Sequence, residues 1–137
     1  MKKQSVSNVC PCGSDLIYGQ CCGQWHSGKI APDAKTLMRS RYSAYVLILE
    51  DYLLATWHPS TRPMTLHLGE NVEQKWLGLS IKQYKLIDGN NAIVEFVARY
   101  RLGGGKAERL HEVSHFVFEN DQWFYVNGEF PGMVVNQ

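Results

Sequence analysis

Cys10, Cys12, Cys21 and Cys22 stand within thirteen residues and are all the cysteine the chain has. Packing alone gives no reason to gather thiols in a Gly-rich loop, and in a reducing compartment disulfides do not persist. A Cys-x-Cys pair and a Cys-Cys pair, separated by eight residues, can bring four sulfurs to one point. Thiolates bind Zn²⁺ tetrahedrally at about 2.3 Å. Pro11 stiffens the first turn, and Gly13, Gly19 and Gly23 fall where such a loop must fold tightly. Four thiolates also suit an iron–sulfur cluster, but the adjacent Cys21 and Cys22 favour a single metal, and zinc above iron–sulfur. With four protein ligands the site is closed, hence structural, one ion per chain. His26, four residues past Cys22, could replace Cys22 if that thiol pointed away.

The chain has 137 residues, 45% hydrophobic, enough for one sizeable core and too few for two full domains. A boundary near Gly28 to Pro32 divides it into a knuckle over 1–30 and an α+β domain over 31–137. Asp33 is placed to cap a helix running through Leu37, Met38, Arg41, Ala44, Tyr45, Ile48 and Tyr52, broken near Glu50 and ending at Trp57-His58-Pro59. Glu70 to Leu77 reads as one short helix. From Leu79 the period becomes two, with strands over 79–82, 92–100, 110–119 and 122–126 and turns at Asp88–Asn91, Gly103–Gly105 and Asn120–Asp121. Helices followed by an antiparallel meander give an α+β fold whose curved sheet wraps the helices, an arrangement that leaves a pocket between the two.

The formal net charge of +1 gives no strong field toward nucleic acid or an anionic membrane. The N-terminal stretch Met1–Val9 lacks the apolar run of a secretory signal, and the richest apolar stretch, Tyr45–Leu54, is broken by Glu50 and Asp51. The expectation is a soluble, cytoplasmic protein.

The run Cys10-Pro11-Cys12-Gly13-Ser14, Tyr18 and Cys21-Cys22-Gly23 resembles the SEC-C zinc motif found at the C-terminus of the preprotein translocase ATPase, whose ligands map onto Cys10, Cys12, Cys21 and Cys22. The continuation, Leu37-Met38-Arg39-Ser40-Arg41-Tyr42-Ser43-Ala44-Tyr45 and then Thr56-Trp57-His58-Pro59-Ser60, is similar to the YchJ family of uncharacterised bacterial proteins. That resemblance implies a cystatin-like, nuclear-transport-factor-like (NTF2-like) curved antiparallel sheet packed on helices behind a zinc knuckle, and no known reaction.

His111-Glu112-Val113-Ser114-His115 spells the metalloprotease pattern H-E-x-x-H, which needs a helix to bring both histidines to one ion. The segment follows a triple-glycine turn and alternates like a strand, where positions four apart lie roughly 13 Å from each other. It therefore carries no catalytic reading. Glu112 and His115 remain possible acid/base groups, although alternation puts them on opposite faces. Arg39 and Arg41 on the helix, near Tyr42 and Tyr45, and Arg99 and Arg101 with Glu95 on the second strand could meet in the pocket and bind an anion. Arg41, on the apolar stripe, is the best candidate. Trp57 and the run Trp123-Phe124-Tyr125 are assigned to the core. The leading functional expectation is a non-enzymatic adaptor whose zinc knuckle docks a protein or ribonucleoprotein. The alternative is a small-molecule binder or enzyme using the pocket.

Overall fold

The computed structural model describes residues 8–70 and 73–131. Three helices, α1 (Cys22–His26), α2 (Ala34–Leu47) and α3 (Glu50–Ala55), precede four strands, β1 (Gln74–Asp88), β2 (Asn91–Leu102), β3 (Ala107–Glu119) and β4 (Gln122–Glu129). The strands form one antiparallel meander in the order β1-β2-β3-β4.

Asp33 caps α2 as its position predicts, its carboxylate accepting from the Thr36 amide at 2.7 Å. The helix stops at Ile48, held in the left-handed region at φ 58°, a conformation a β-branched residue adopts only at a cost of about 1–2 kcal/mol. Two residues later the chain starts α3, and Glu50 steadies the break. Its carboxylate accepts from the Leu66 amide at 2.9 Å, the Thr65 hydroxyl at 2.8 Å and the Leu68 amide at 3.2 Å.

The helix expected over Glu70–Leu77 is not formed. Leu68–Glu70 makes a single 3₁₀ turn, 74–77 already belong to β1, and residues 71 and 72 lie outside the described residues. Tertiary packing explains the difference: Trp76 sits edge-on to Tyr42, within 6.1 Å of the Tyr45 ring and opposite Tyr100 on β2. The first strand is longer than the 79–82 expected, and it changes register against β2 three times, between Trp76 and Gly78, Ile81 and Gln83, and Leu86 and Asp88. Each bulge adds a residue and increases the local twist. The sheet thereby curls, and Trp76, Leu79, Ile81 and Tyr84 all reach the core despite their uneven spacing.

The curled face covers α2. Leu37, Met38 and Tyr42 meet Ala92, Val94, Phe96, Ala98 and Phe116 in one cluster. The opposite side of α2 is buried too, by the knuckle and α3, which is why Ser40 and Ser43 are fully buried. Trp57 forms a parallel bridge to Tyr125, and backbone bonds from His58 N–H to Tyr125 C=O and from Tyr125 N–H to Thr56 C=O close the edge of β4. An open sheet edge is thus shielded by the segment that leaves α3. Among the described residues no helix is long and apolar enough to cross a membrane.

Candidate metal centre and ligand cavity

The cysteine loop is organised by its own backbone. Val9 bridges Ile17, and the Cys10 amide donates to the Leu16 carbonyl at 2.8 Å. Gly13 turns the chain at φ 87°, and a Cβ on Gly23 would stand 2.7 Å from the Tyr18 carbonyl oxygen, so both positions require glycine. Gly19 has open space and an ordinary φ, contrary to the expectation of a tight turn there.

The four Sγ atoms lie within 4.8 Å of one another, with Cys12 and Cys21 3.6 Å apart. Four thiolates around one zinc would be separated by about 3.8 Å, the tetrahedral edge that follows from a 2.3 Å bond. This donor set could bind a metal ion. Cys10, Cys12 and Cys22 are buried at 3% exposure or less, while Cys21 is half-buried. His26 is engaged elsewhere. Its Nε2 meets the Ser40 carbonyl at 2.8 Å, and its Nδ1 meets the Tyr18 hydroxyl at 2.6 Å. Because the carbonyl can only accept, Nε2 carries the proton and Nδ1 accepts from Tyr18. Burial holds the imidazole below its ordinary pKa.

The sulfurs are electrostatically frustrated as free thiols. Hydrogen bonds from Cys10 and Cys22 hold Cys12 far below the usual thiol range, while interactions with Cys10 and Cys12, together with burial, push Cys22 far above it. Like charges this close cannot all ionise without a cation among them. Further groups support the sulfurs: Ser43 Oγ donates to Cys22 Sγ at 3.3 Å and lies 3.5 Å from Cys10 Sγ, Ser14 Oγ is 3.1 Å from Cys21 Sγ, and Arg39 donates to the Cys12 carbonyl at 3.1 Å. Such outer partners orient metal ligands and tune their basicity.

On the other side of α2, between it and the sheet, lies a partly open cavity of about 220 Å³. Its walls are aromatic, with Tyr42, Tyr45, Trp76, Phe96, Phe116 and Tyr125 contributing, and its polar groups are Arg41, Glu112 and Ser114. Arg41 is 5% exposed and fixed in place. Its Nη1 donates to the Leu53 carbonyl at 2.8 Å and the Thr56 hydroxyl at 2.6 Å, and its guanidinium carbon lies 5.1 Å from the Trp57 ring and 4.6 Å from the Tyr125 ring. Burial lowers its pKa, and the surrounding tyrosines and Glu112 oppose that shift.

Glu112, 7% exposed, enters the cavity from β3. Its Oε2 accepts from Ser114 Oγ and from the Tyr125 hydroxyl, both at 2.9 Å. Among the described residues none hydrogen-bonds to its Oε1 and no cation pairs with it. Burial and the neighbouring carboxylate push Tyr125 above its ordinary range, so it remains a donor. A register change on β4 makes this arrangement possible. His115 faces Asn127 but Phe116 faces Tyr125, so Val126 is inserted, and both Tyr125 and Gly128 turn to the cavity side. A Cβ at Gly128 would stand 2.6 Å from the Glu112 carboxyl carbon; only glycine leaves room for that side chain.

Other sequence candidates are dispersed. Arg99 and Arg101 do not reach the cavity, because their neighbours Phe96 and Ala98 occupy the inward parity of β2. Arg39 turns to the knuckle. His111 and His115 sit on strand β3 facing outward, His111 bonded to Glu95 at 2.7 Å and His115 to Asn91 at 3.1 Å, so the H-E-x-x-H pattern assembles no metal site. Trp123 lies in the core and Tyr125 packs against it as expected, while Tyr125 and Trp57 also flank Arg41. Trp76 and Gly128 were missed; for Gly128 the available signal was a glycine in a strand, which marks a bulge or close approach.

The family model described as "YchJ, middle NTF2-like domain" matches residues 33–128 of this chain. The chain belongs to the YchJ family. A UPF0225 protein of Bordetella pertussis is 53% identical over 133 residues, covering 94% of this chain and 98% of its own. One from Xanthomonas campestris pv. campestris (strain 8004) is 51% identical over 127 residues, covering 93% and 98%. Among solved structures, a SEC-C motif containing protein from Rhodopseudomonas palustris superposes with a TM-score of 0.79 at 35% identity, over 88% of this chain and 97% of that one. A second, from Psychrobacter arcticus, gives 0.77 at 28% identity, over 94% and 85%. The family match and these neighbours agree with the α+β, NTF2-like fold and the SEC-C-type cysteine knuckle expected from the sequence.

Proposed function

We propose that Cys10, Cys12, Cys21 and Cys22 hold one structural Zn²⁺, and that the working site is the cavity between α2 and the sheet, where the protein binds a small molecule. An all-sulfur donor set of near-tetrahedral spacing suits zinc, and two solved relatives are SEC-C motif containing proteins. When bound, the ion supplies charge neutralisation and cross-linking rather than chemistry, since four protein sulfurs leave no open position. The cavity reading is carried by Glu112, a buried carboxylate with one oxygen unengaged on an apolar wall, above a glycine that clears space for it. Buried polar groups are ordinarily satisfied, and 220 Å³ far exceeds the ~10–15 Å³ that one water needs.

Protein purified without chelator should carry one zinc per chain and four protected thiols; metal-free protein with freely reactive thiols sinks the zinc assignment. Indole, as a neutral aromatic probe, should shift the NMR signals of Trp76 and Phe116 selectively. Shifts spread over the surface, or none, sink the cavity reading.

A second reading, partner docking at the sheet rather than at the knuckle, draws on a separate observation. On the outward face of the sheet Lys75 stands opposite Arg101 and Arg99 opposite Arg109. Like charges directly opposite are destabilising, and among the described residues no carboxylate pairs with them. A protein partner with an acidic surface would relieve that repulsion. Its binding should weaken with salt and disappear when Arg99 and Arg109 are changed to Glu, yet survive Glu112→Gln; binding indifferent to the charge reversal counts against it.

A further inference from the structure

The cavity's charges and rings define what it accepts. Arg41 is partly committed: two hydrogen bonds hold Nη1, and the Trp57 and Tyr125 rings lie against the guanidinium. Its positive charge acts across the Tyr125 ring, and that residue's hydroxyl donates to Glu112. The Ser114 hydroxyl adds a second donor to the same oxygen. Oε1 is left as the acceptor in a site whose remaining walls are ring faces and edges.

We infer that the cavity binds a small primary amine with an apolar body, its ammonium group donating to Glu112 Oε1 while Tyr42, Trp76 and Phe116 enclose the rest. The inference rests on the cavity reading above and deepens it. Three features of the site agree. An ammonium offers the donors a carboxylate oxygen lacks. Aromatic walls attract a cation through their ring quadrupoles and tolerate the apolar body equally well. An anion would meet Glu112 at close range, with Nη1 of Arg41 already occupied.

The experiment uses the full-length, zinc-loaded chain and three probes of similar shape: phenethylamine, 2-phenylethanol and 3-phenylpropionate. Binding is followed by calorimetry and by the NMR signals of Trp76 and Phe116. The expected result is at least tenfold tighter binding of the amine than of the alcohol, with the acid weakest, and loss of that preference in Glu112→Gln. The ranking in the wild-type protein tests the inference even if the variant folds poorly. Equal binding of all three overturns the amine assignment and leaves the cavity reading intact. Tightest binding of the acid overturns it in favour of Arg41 as the anchor. Failure of every probe to perturb Trp76 or Phe116 overturns the cavity reading itself.

Discussion

Gly128→Ala puts a methyl group where the Glu112 side chain now lies, with the new Cβ 2.6 Å from the carboxyl carbon. The carboxylate must move, and moving it stretches the 2.9 Å hydrogen bonds from Ser114 and Tyr125. Hydrogen bonds to a charged group contribute about 1.5–3 kcal/mol each, and forcing extra volume into a packed site costs about 1–3 kcal/mol. Partial weakening of two bonds plus local overpacking gives a destabilisation of about 2–4 kcal/mol. In a Glu112→Ala background the obstacle is gone, and alanine in a strand is about 0.5–1 kcal/mol better than glycine, so the same change should be neutral or slightly stabilising. Urea unfolding of zinc-saturated protein, followed by tryptophan fluorescence, yields the four corners of this cycle. A coupling of at least about 2 kcal/mol is expected, within the range for residues in contact. If Gly128→Ala costs the same in both backgrounds, Glu112 does not occupy the space above Gly128 and the reasoning about the cavity fails.

Cys12→Ser should abolish stoichiometric zinc and expose the remaining thiols to a chromogenic thiol reagent, with a fall in Tm, because the ion cross-links the loop and its binding energy is folding energy. Arg41→Met should destabilise by about 2–4 kcal/mol in urea unfolding, since the buried Leu53 carbonyl and Thr56 hydroxyl lose their donor; Arg41→Lys should recover only part, an ammonium being unable to stack against Trp57 and Tyr125 as a planar group does. Glu50 is held below the ordinary carboxylate range by the Leu66 amide, then by Thr65 and Leu68. Its contribution is therefore present above the unfolded pKa and lost as pH falls through the lower folded value. Protection factors for hydrogen exchange at the Leu66 and Leu68 amides, corrected for the intrinsic rate, should be high at neutral pH and fall below that value, and Glu50→Gln should already show low protection at pH 7.

Much of this fold is legible from local chemistry. The Asp33 cap, the break near Glu50, the hairpin turns and the four-strand meander follow from residue type and period. Regions where the period itself changes are less legible. The first two bulges in β1 put Trp76, Leu79, Ile81 and Tyr84 on one face, and no simple alternation predicts that, so the start of β1 reads as a helix. Long-range pairing, which sequence spacing does not reveal, also decides where Trp76 packs. At the candidate sites, the cysteine cluster is readable because its ligands are adjacent in the chain. Arg41 is readable because a charged residue on an apolar stripe is unusual. Glu112 is half legible: it shares parity with Ser114 and Phe116 on β3, which marks it as inward, but its partners Tyr125 and Gly128 reach it only through the extra residue at Val126.

The cysteine centre and the cavity are not independent, because α2 forms a wall of each. Arg39 reaches the Cys12 carbonyl, Ser40 receives His26, and Ser43 donates to Cys22; between them on the same helix, Arg41 and Tyr42 line the cavity. A helix of this length is short for stability on its own, and α2 owes its position to what packs on both sides. The knuckle packs on α2 where the small residues Ser40 and Ser43 let the chain approach closely. A metal held by the four sulfurs would therefore also set the height and rotation of α2 over the sheet, and with them the distance from Arg41 to the Tyr125 ring and the width of the space in front of Glu112. The cysteine knuckle, with the proposed ion bound, would then be the part of the fold that keeps the cavity in shape.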